Sequence, residues 1–221
     1  MIMNFYYCKQ WLARVSMLAL VTVISACATT GTTSRPAATI AIQEDVGFTI
    51  TEVAAVDSTV RTEYIEALGH LERAQHQEGL AMLRNVASSA PDLSAPRIEM
   101  GIAYHAIGDL DAAEENLLAA LELNPDHPIA HNELGIVYRK TGRFAAARKS
   151  YESALAVYPG YHHARRNLGI LCDLYLADLD CALQNYEAYM KTVPGDDQAA
   201  MWIADIRGRL GQEEAACTQN S

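Results

Sequence analysis

Small and apolar positions recur along this chain with two periods: three to four residues within a segment, and 34 residues between segments. Residues 95–194 carry the long period most clearly. One phrase reads Arg97-Ile98-Glu99-Met100-Gly101-Ile102-Ala103-Tyr104, then His131-Asn132-Glu133-Leu134-Gly135-Ile136-Val137-Tyr138, then Arg165-Arg166-Asn167-Leu168-Gly169-Ile170-Leu171-Cys172. A second beat follows each copy, Ala113 with Leu117, Ala147 with Tyr151 and Ala182 with Tyr186, and each unit closes on Pro125, Pro159 or Pro194. The short period is that of amphipathic helices, so each copy predicts two helices. Gly108 and Gly142 suit a left-handed stop after the first helix, Asp109 caps the second, and the prolines end it.

The spacing and the residues resemble the tetratricopeptide repeat (TPR) pattern W-x2-L-G-x2-Y…A-x3-F…P, with Arg97, His131 or Arg165 in the tryptophan's place. The resemblance implies an all-α fold, a right-handed superhelical solenoid of helix-turn-helix repeats whose first helices line a concave surface. Three repeats are clear. A worn one precedes them over residues 58–91, with Tyr64, Leu68 and Leu71 on its first helix, Leu80, Leu83 and Val86 on its second, and Ala67 as its small residue. Residues 197–210, with Ala200, Ile203, Ala204 and Ile206 inward, read as the capping helix an open solenoid end requires. The TPR domain is thus expected over 58–211, followed by a polar tail, 212–221.

In this pattern each glycine sits where paired helices cross, opposite Ala113 or Ala147, with Leu117 and Tyr151 filling the space between pairs. A large side chain there would force the helices beyond normal packing distance. The last repeat departs from the rule. Asp178-Leu179-Asp180 matches Asp109-Leu110-Asp111 only if one residue is inserted in the turn. Cys172 replaces the tyrosine and Cys181 opens the returning helix, so both face one seam. They form a disulfide candidate in an oxidising compartment; the alternative is two buried thiols. Cys217 is then left over.

The N-terminus bears on compartment. Lys9 and Arg14 precede an uncharged, mostly apolar run, Val15 to Ile24, and then Ser25-Ala26-Cys27. That is the layout of a secretory signal, too short to span a bilayer, which takes about 20 apolar residues. Ile24-Ser25-Ala26-Cys27 also resembles a bacterial lipobox, which implies lipidation of Cys27 after removal of residues 1–26. By the same resemblance, Ala28 favours an outer-membrane lipoprotein facing the periplasm. Residues 27–57 read as a flexible tether, spanning roughly 30 Å as a coil. Within it Phe48-Thr49-Ile50-Thr51 alternates like a strand, either a flap along the solenoid or an unpaired linker.

Net charge is −10, and losing Lys9 and Arg14 with a leader makes it near −12, so a nucleic-acid partner is not expected. No serine-hydrolase elbow, phosphate loop or zinc-protease motif is present, and neither an enzyme nor a cofactor is expected. His127 and His131 have a ligand-like spacing, but His127 precedes Pro128 in a turn, so no metal site is expected.

The functional expectation is a groove. The family resemblance places Ile102, Ile136 and Ile170 on its floor, His105, Arg139 and Asp173 one turn onward, and Ile98, Asn132 and Arg166 before them, with Lys140 alongside. An extended peptide or helix with apolar anchors and acidic flanks would suit it. The alternative is isoleucines packed between helices and scattered surface charge. TPR lipoproteins of this layout support pilus or secretin assembly, organise cell-wall enzymes, or accompany TonB-type transport. The expected role is therefore a protein-binding adaptor for an envelope complex. The competing roles are a peptide- or glycan-binding module and a non-catalytic partner subunit.

Overall fold

The structure is a computed structural model that describes residues 3–5, 39–43, 47–52 and 56–219. Asp57 accepts a hydrogen bond from the Thr59 amide at 2.9 Å and starts α1 (Ser58–Glu72), paired with α2 (His76–Ser89). The next units are α3 (Ala95–Ile107) with α4 (Leu110–Leu123), and α5 (Pro128–Lys140) with α6 (Phe144–Val157). Pro128 opens α5, where its missing amide hydrogen costs nothing. The last unit is α7 (His162–Leu171), a π-helical turn Cys172–Leu176, and α8 (Leu179–Thr192). Helix α9 (Asp197–Gln219) closes the array. The one-residue insertion read from the sequence is accommodated by this π-helical turn, the usual way a helix absorbs an extra residue.

Each glycine of the repeated phrase meets the large residue of the second beat. A Cβ on Gly101, Gly135 or Gly169 would lie 2.6, 2.5 or 2.6 Å from Leu117, Tyr151 or Tyr186. Ala113 does stand opposite Gly101, its carbonyl oxygen 3.3 Å from that Cβ, but the nearest atoms at each crossing belong to the ring or branched side chain. In the first unit the small pair is reversed, with Ala67 on α1 and Gly79 on α2, whose Cβ would lie 2.6 Å from Leu71. Arginine replaces the pattern's tryptophan by bonding to the second helix: Arg97 donates to Asn116 at 3.3 Å and Arg165 to Asn185 at 3.1 Å.

One buried core runs from Ile98 to Ile206, and a second lies within α1–α3, with Tyr104 packed against both. First helices α3 and α5, and α5 and α7, contact one another directly, whereas second helices do not approach one another to that degree. The array therefore bends with its first helices on the inner side. Among the described side chains of α9, Ala199, Ile203 and Ile206 are buried, while Ala200 and Ala204 are exposed. The helix also continues to Gln219, through most of what reads as a polar tail.

Among the described residues, three strands accompany the helices. β3 (Gly47–Glu52) pairs antiparallel with β1 (Met3–Phe5) on one side and β2 (Thr39–Gln43) on the other. Of the two readings of Phe48–Thr51, the docked flap is the one observed, so part of the 27–57 segment is not tether. Cys27 and the apolar run before it lie outside the described residues, as does Cys217's side chain. No described helix is long and apolar enough to cross a membrane.

Candidate functional site

The inner side carries most of the expected groove residues, but not all are available to a partner. Ile98 is 0% exposed and Asn132 2%, so neither lines an open surface. Both stand three residues before a glycine, where the close helix crossing turns them into the wall. Asn132 works inside that wall: its amide donates to Glu133 at 3.0 Å and its carbonyl accepts from Asn167 at 2.9 Å. Glu99 precedes Glu133 by one repeat. Burial, with the charge of Glu133 second, pushes the Glu99 carboxyl up to about 8, and burial pushes Glu133 up to about 7. Near neutrality burial therefore favours the protonated form of Glu99 and leaves Glu133 only partly ionised.

Ile102, Ile136 and Ile170 are partly buried and pack on the main core while keeping some exposed surface. Arg166 is not a free cation: its guanidinium stacks over Trp202 of α9, 5.4 Å from the ring centre. Asp173 is taken by Arg209 of α9 at 2.7 Å. The closing helix thus fills this end of the groove.

What remains gathered is His105, Arg139 and Lys140, from the ends of α3 and α5. Burial, then the charges of Lys140 and Arg139, holds the His105 imidazole below its ordinary value, so the cluster's charge near neutrality comes from Arg139 and Lys140. The Arg139 guanidinium lies 5.7 Å from the Tyr175 ring centre and donates to its hydroxyl at 3.4 Å. Tyr175 also packs against Phe144, centres 4.9 Å apart, and its neighbour Leu174 is 68% exposed. The sequence reading missed Leu174 and Tyr175, because the inserted residue takes them out of the 34-residue register. That insertion was the signal that could have found them.

Cys172 and Cys181 are bridged, closing the π-helical turn onto α8. Among the described residues they form, with Asp178, a cluster whose donor atoms could meet one ion, but both sulfurs are spent on the bridge. His127 caps α5, accepting from the Ala130 amide at 3.3 Å, and the His131 ring contacts the Pro125 carbonyl at 2.8 Å. Both histidines are engaged within their own repeat.

These features agree with the comparisons. The tetratricopeptide repeat family profile matches residues 98–162 and 133–172. The fold is a TPR solenoid. Among solved structures, the MamA protein of Desulfovibrio magneticus RS-1 superposes with a TM-score of 0.63 at 21% identity, over 74% of this chain and 92% of that one. Pseudomonas aeruginosa PilF gives 0.64 at 18% identity, over 71% of each chain. A thermophilic TPR protein of Thermus thermophilus gives 0.57 at 23% identity, over 66% and 80%. No curated protein matches the chain. At these identities the likeness speaks to the fold. Solenoids of this kind are protein-interaction modules, generally without catalytic activity of their own.

Proposed function

We propose that this TPR protein is a lipid-anchored periplasmic adaptor, tied to the outer membrane through Cys27 once residues 1–26 and with them β1 are removed, that docks a protein partner on its inner face. The observation that carries the docking surface is the gathering of Arg139, Lys140 and His105 beside exposed Leu174 and Tyr175, in a chain of net charge −10. A cationic and aromatic patch inside an acidic molecule selects a segment with acidic flanks and an apolar anchor. The anchor is supported by the run from Lys9 to Cys27, and more than one acyl chain on Cys27 gives stable attachment.

Each half has its own test. Metabolic labelling with a tritiated fatty acid marks the wild type and not Cys27→Ala, and label in both would exclude this anchor. Pull-down from crosslinked envelopes recovers a partner with the wild type that Arg139→Glu/Lys140→Glu loses while its circular dichroism stays unchanged. Recovery by both would remove the inner face from the account.

A further inference from the structure

β3 belongs to no repeat, yet it is seated on the helical array by alternate side chains. The Phe48 ring stands edge-on to Tyr158 and Tyr161, with centres 5.2 and 5.4 Å away. Ile50 is 4% exposed. The Glu52 carboxylate accepts from the Ser94 amide at 2.9 Å and from the Ser94 hydroxyl at 2.5 Å, at the start of α3. The strand therefore reaches from the start of α3 to the loop before α7, spanning two repeats.

The seats are made by the array. Leu93, His127 and Tyr161 are 34 residues apart, precede the first helices α3, α5 and α7, and are all buried. The aromatic seat is built by Tyr158 and Tyr161, whose own ring centres are 6.3 Å apart. The carboxylate seat is a helix start whose Ser94 is fully buried. An aromatic hollow and, four residues along, a pair of hydrogen-bond donors for a carboxylate, with a buried aliphatic position between them, are what an extended ligand needs: the period of two turns every second side chain inward.

We propose that this row is a second docking site, for an extended partner segment of the pattern aromatic–x–branched aliphatic–x–carboxylate, and that Phe48–Glu52 is its internal stand-in. A partner strand enters by displacing β3 together with its hairpin partner β2. Being part of the same chain, the resident strand stands at an effective concentration on the order of millimolar, so free peptides compete poorly until the resident is loosened. The site stands on different residues from the Arg139–Lys140 patch, and either can fail without the other.

The probe is a fluorescent peptide of residues 39–52, titrated by anisotropy into the full chain and into its variant Phe48→Asp/Ile50→Asp. The expected result is saturable binding at least tenfold tighter to the variant than to the wild type. It should also fall at least tenfold for a peptide with alanine in place of Phe48 and Glu52. A folded variant that does not bind the peptide, or binds both peptides alike, overturns the proposal. If the variant does not fold, hydrogen exchange on the unaltered chain decides. Amides of residues 47–52 exchanging at least a hundredfold faster than those of α5 support a displaceable strand, and equal rates overturn it.

Discussion

The middle units, α3 to α6, and the last unit, α7 to α8, make the same helix crossing but close it differently. Gly135 against Tyr151 and Gly169 against Tyr186 are nearly superimposable contacts, with a Cβ meeting the ring at 2.5 and 2.6 Å. The turns diverge. Gly108 and Gly142 reverse the chain at φ of 87° and 75°, a region glycine occupies freely. In the last unit Ala177 holds φ 52° after a π-helical turn, against the preference of any residue with a Cβ. There the Cys172–Cys181 bridge and the Asp178 cap, which accepts from the Cys181 amide at 3.1 Å, tie the turn to α8. Between these units the helix crossing is therefore the element that is kept. The turn can be rebuilt with other chemistry.

The largest effect should come from the shared crossing. Gly135→Leu is expected to overpack it by about 3 kcal/mol, and Gly169→Leu by a similar amount, measured by urea unfolding. A large difference between them would show that the crossings are not equivalent. Next comes the bridge: Cys172→Ser/Cys181→Ser should lose about 2–3 kcal/mol, and reductant should lower the wild type's melting temperature without affecting the variant's.

The pH response separates the unit starts. Burial, then the charge of His131, pushes the His127 imidazole down to about 3, whereas Tyr161 stands at the same register before α7. An unfolded histidine takes up a proton near pH 6.5 that the folded one refuses, so stability falls as pH drops below that value, down to about 3. Between pH 7 and 5 this amounts to about 2 kcal/mol, which His127→Asn should remove while keeping a capping side chain. An unchanged slope would mean that His127 is not the responsible group.

Smaller effects test the turns. Ala177→Gly should stabilise by about 1 kcal/mol and Gly142→Ala should destabilise by about the same. Arg148→Met, which removes the half-exposed ion pair with Asp178, should cost less than about 1 kcal/mol in a salt-sensitive way.

The repeats, the cap at Asp109 and the left-handed stops at Gly108 and Gly142 were legible because each is set within one 34-residue unit. The candidate site was legible in part. His105 and Arg139 share a face because their helix positions repeat 34 residues apart, and Lys140 follows Arg139 directly. Arg166 was misread because Trp202 lies on α9, outside the repeat register. Ile98 was misread because residues with the same helical phase can face either a neighbouring helix or solvent, depending on how closely the helices cross. The alternation of β3 was visible, but its docking was not, because its seats come from separate loops that only the fold brings together.

The central claim is that a partner docks on the inner face beside Arg139 and Lys140. A photoreactive amino acid placed at Tyr175, and separately at the exposed Glu115 of α4, tests it in intact cells. The account predicts one discrete crosslinked protein from position 175, abolished by Arg139→Glu/Lys140→Glu, and none from position 115. The same protein captured from position 115 but not from 175 would contradict it.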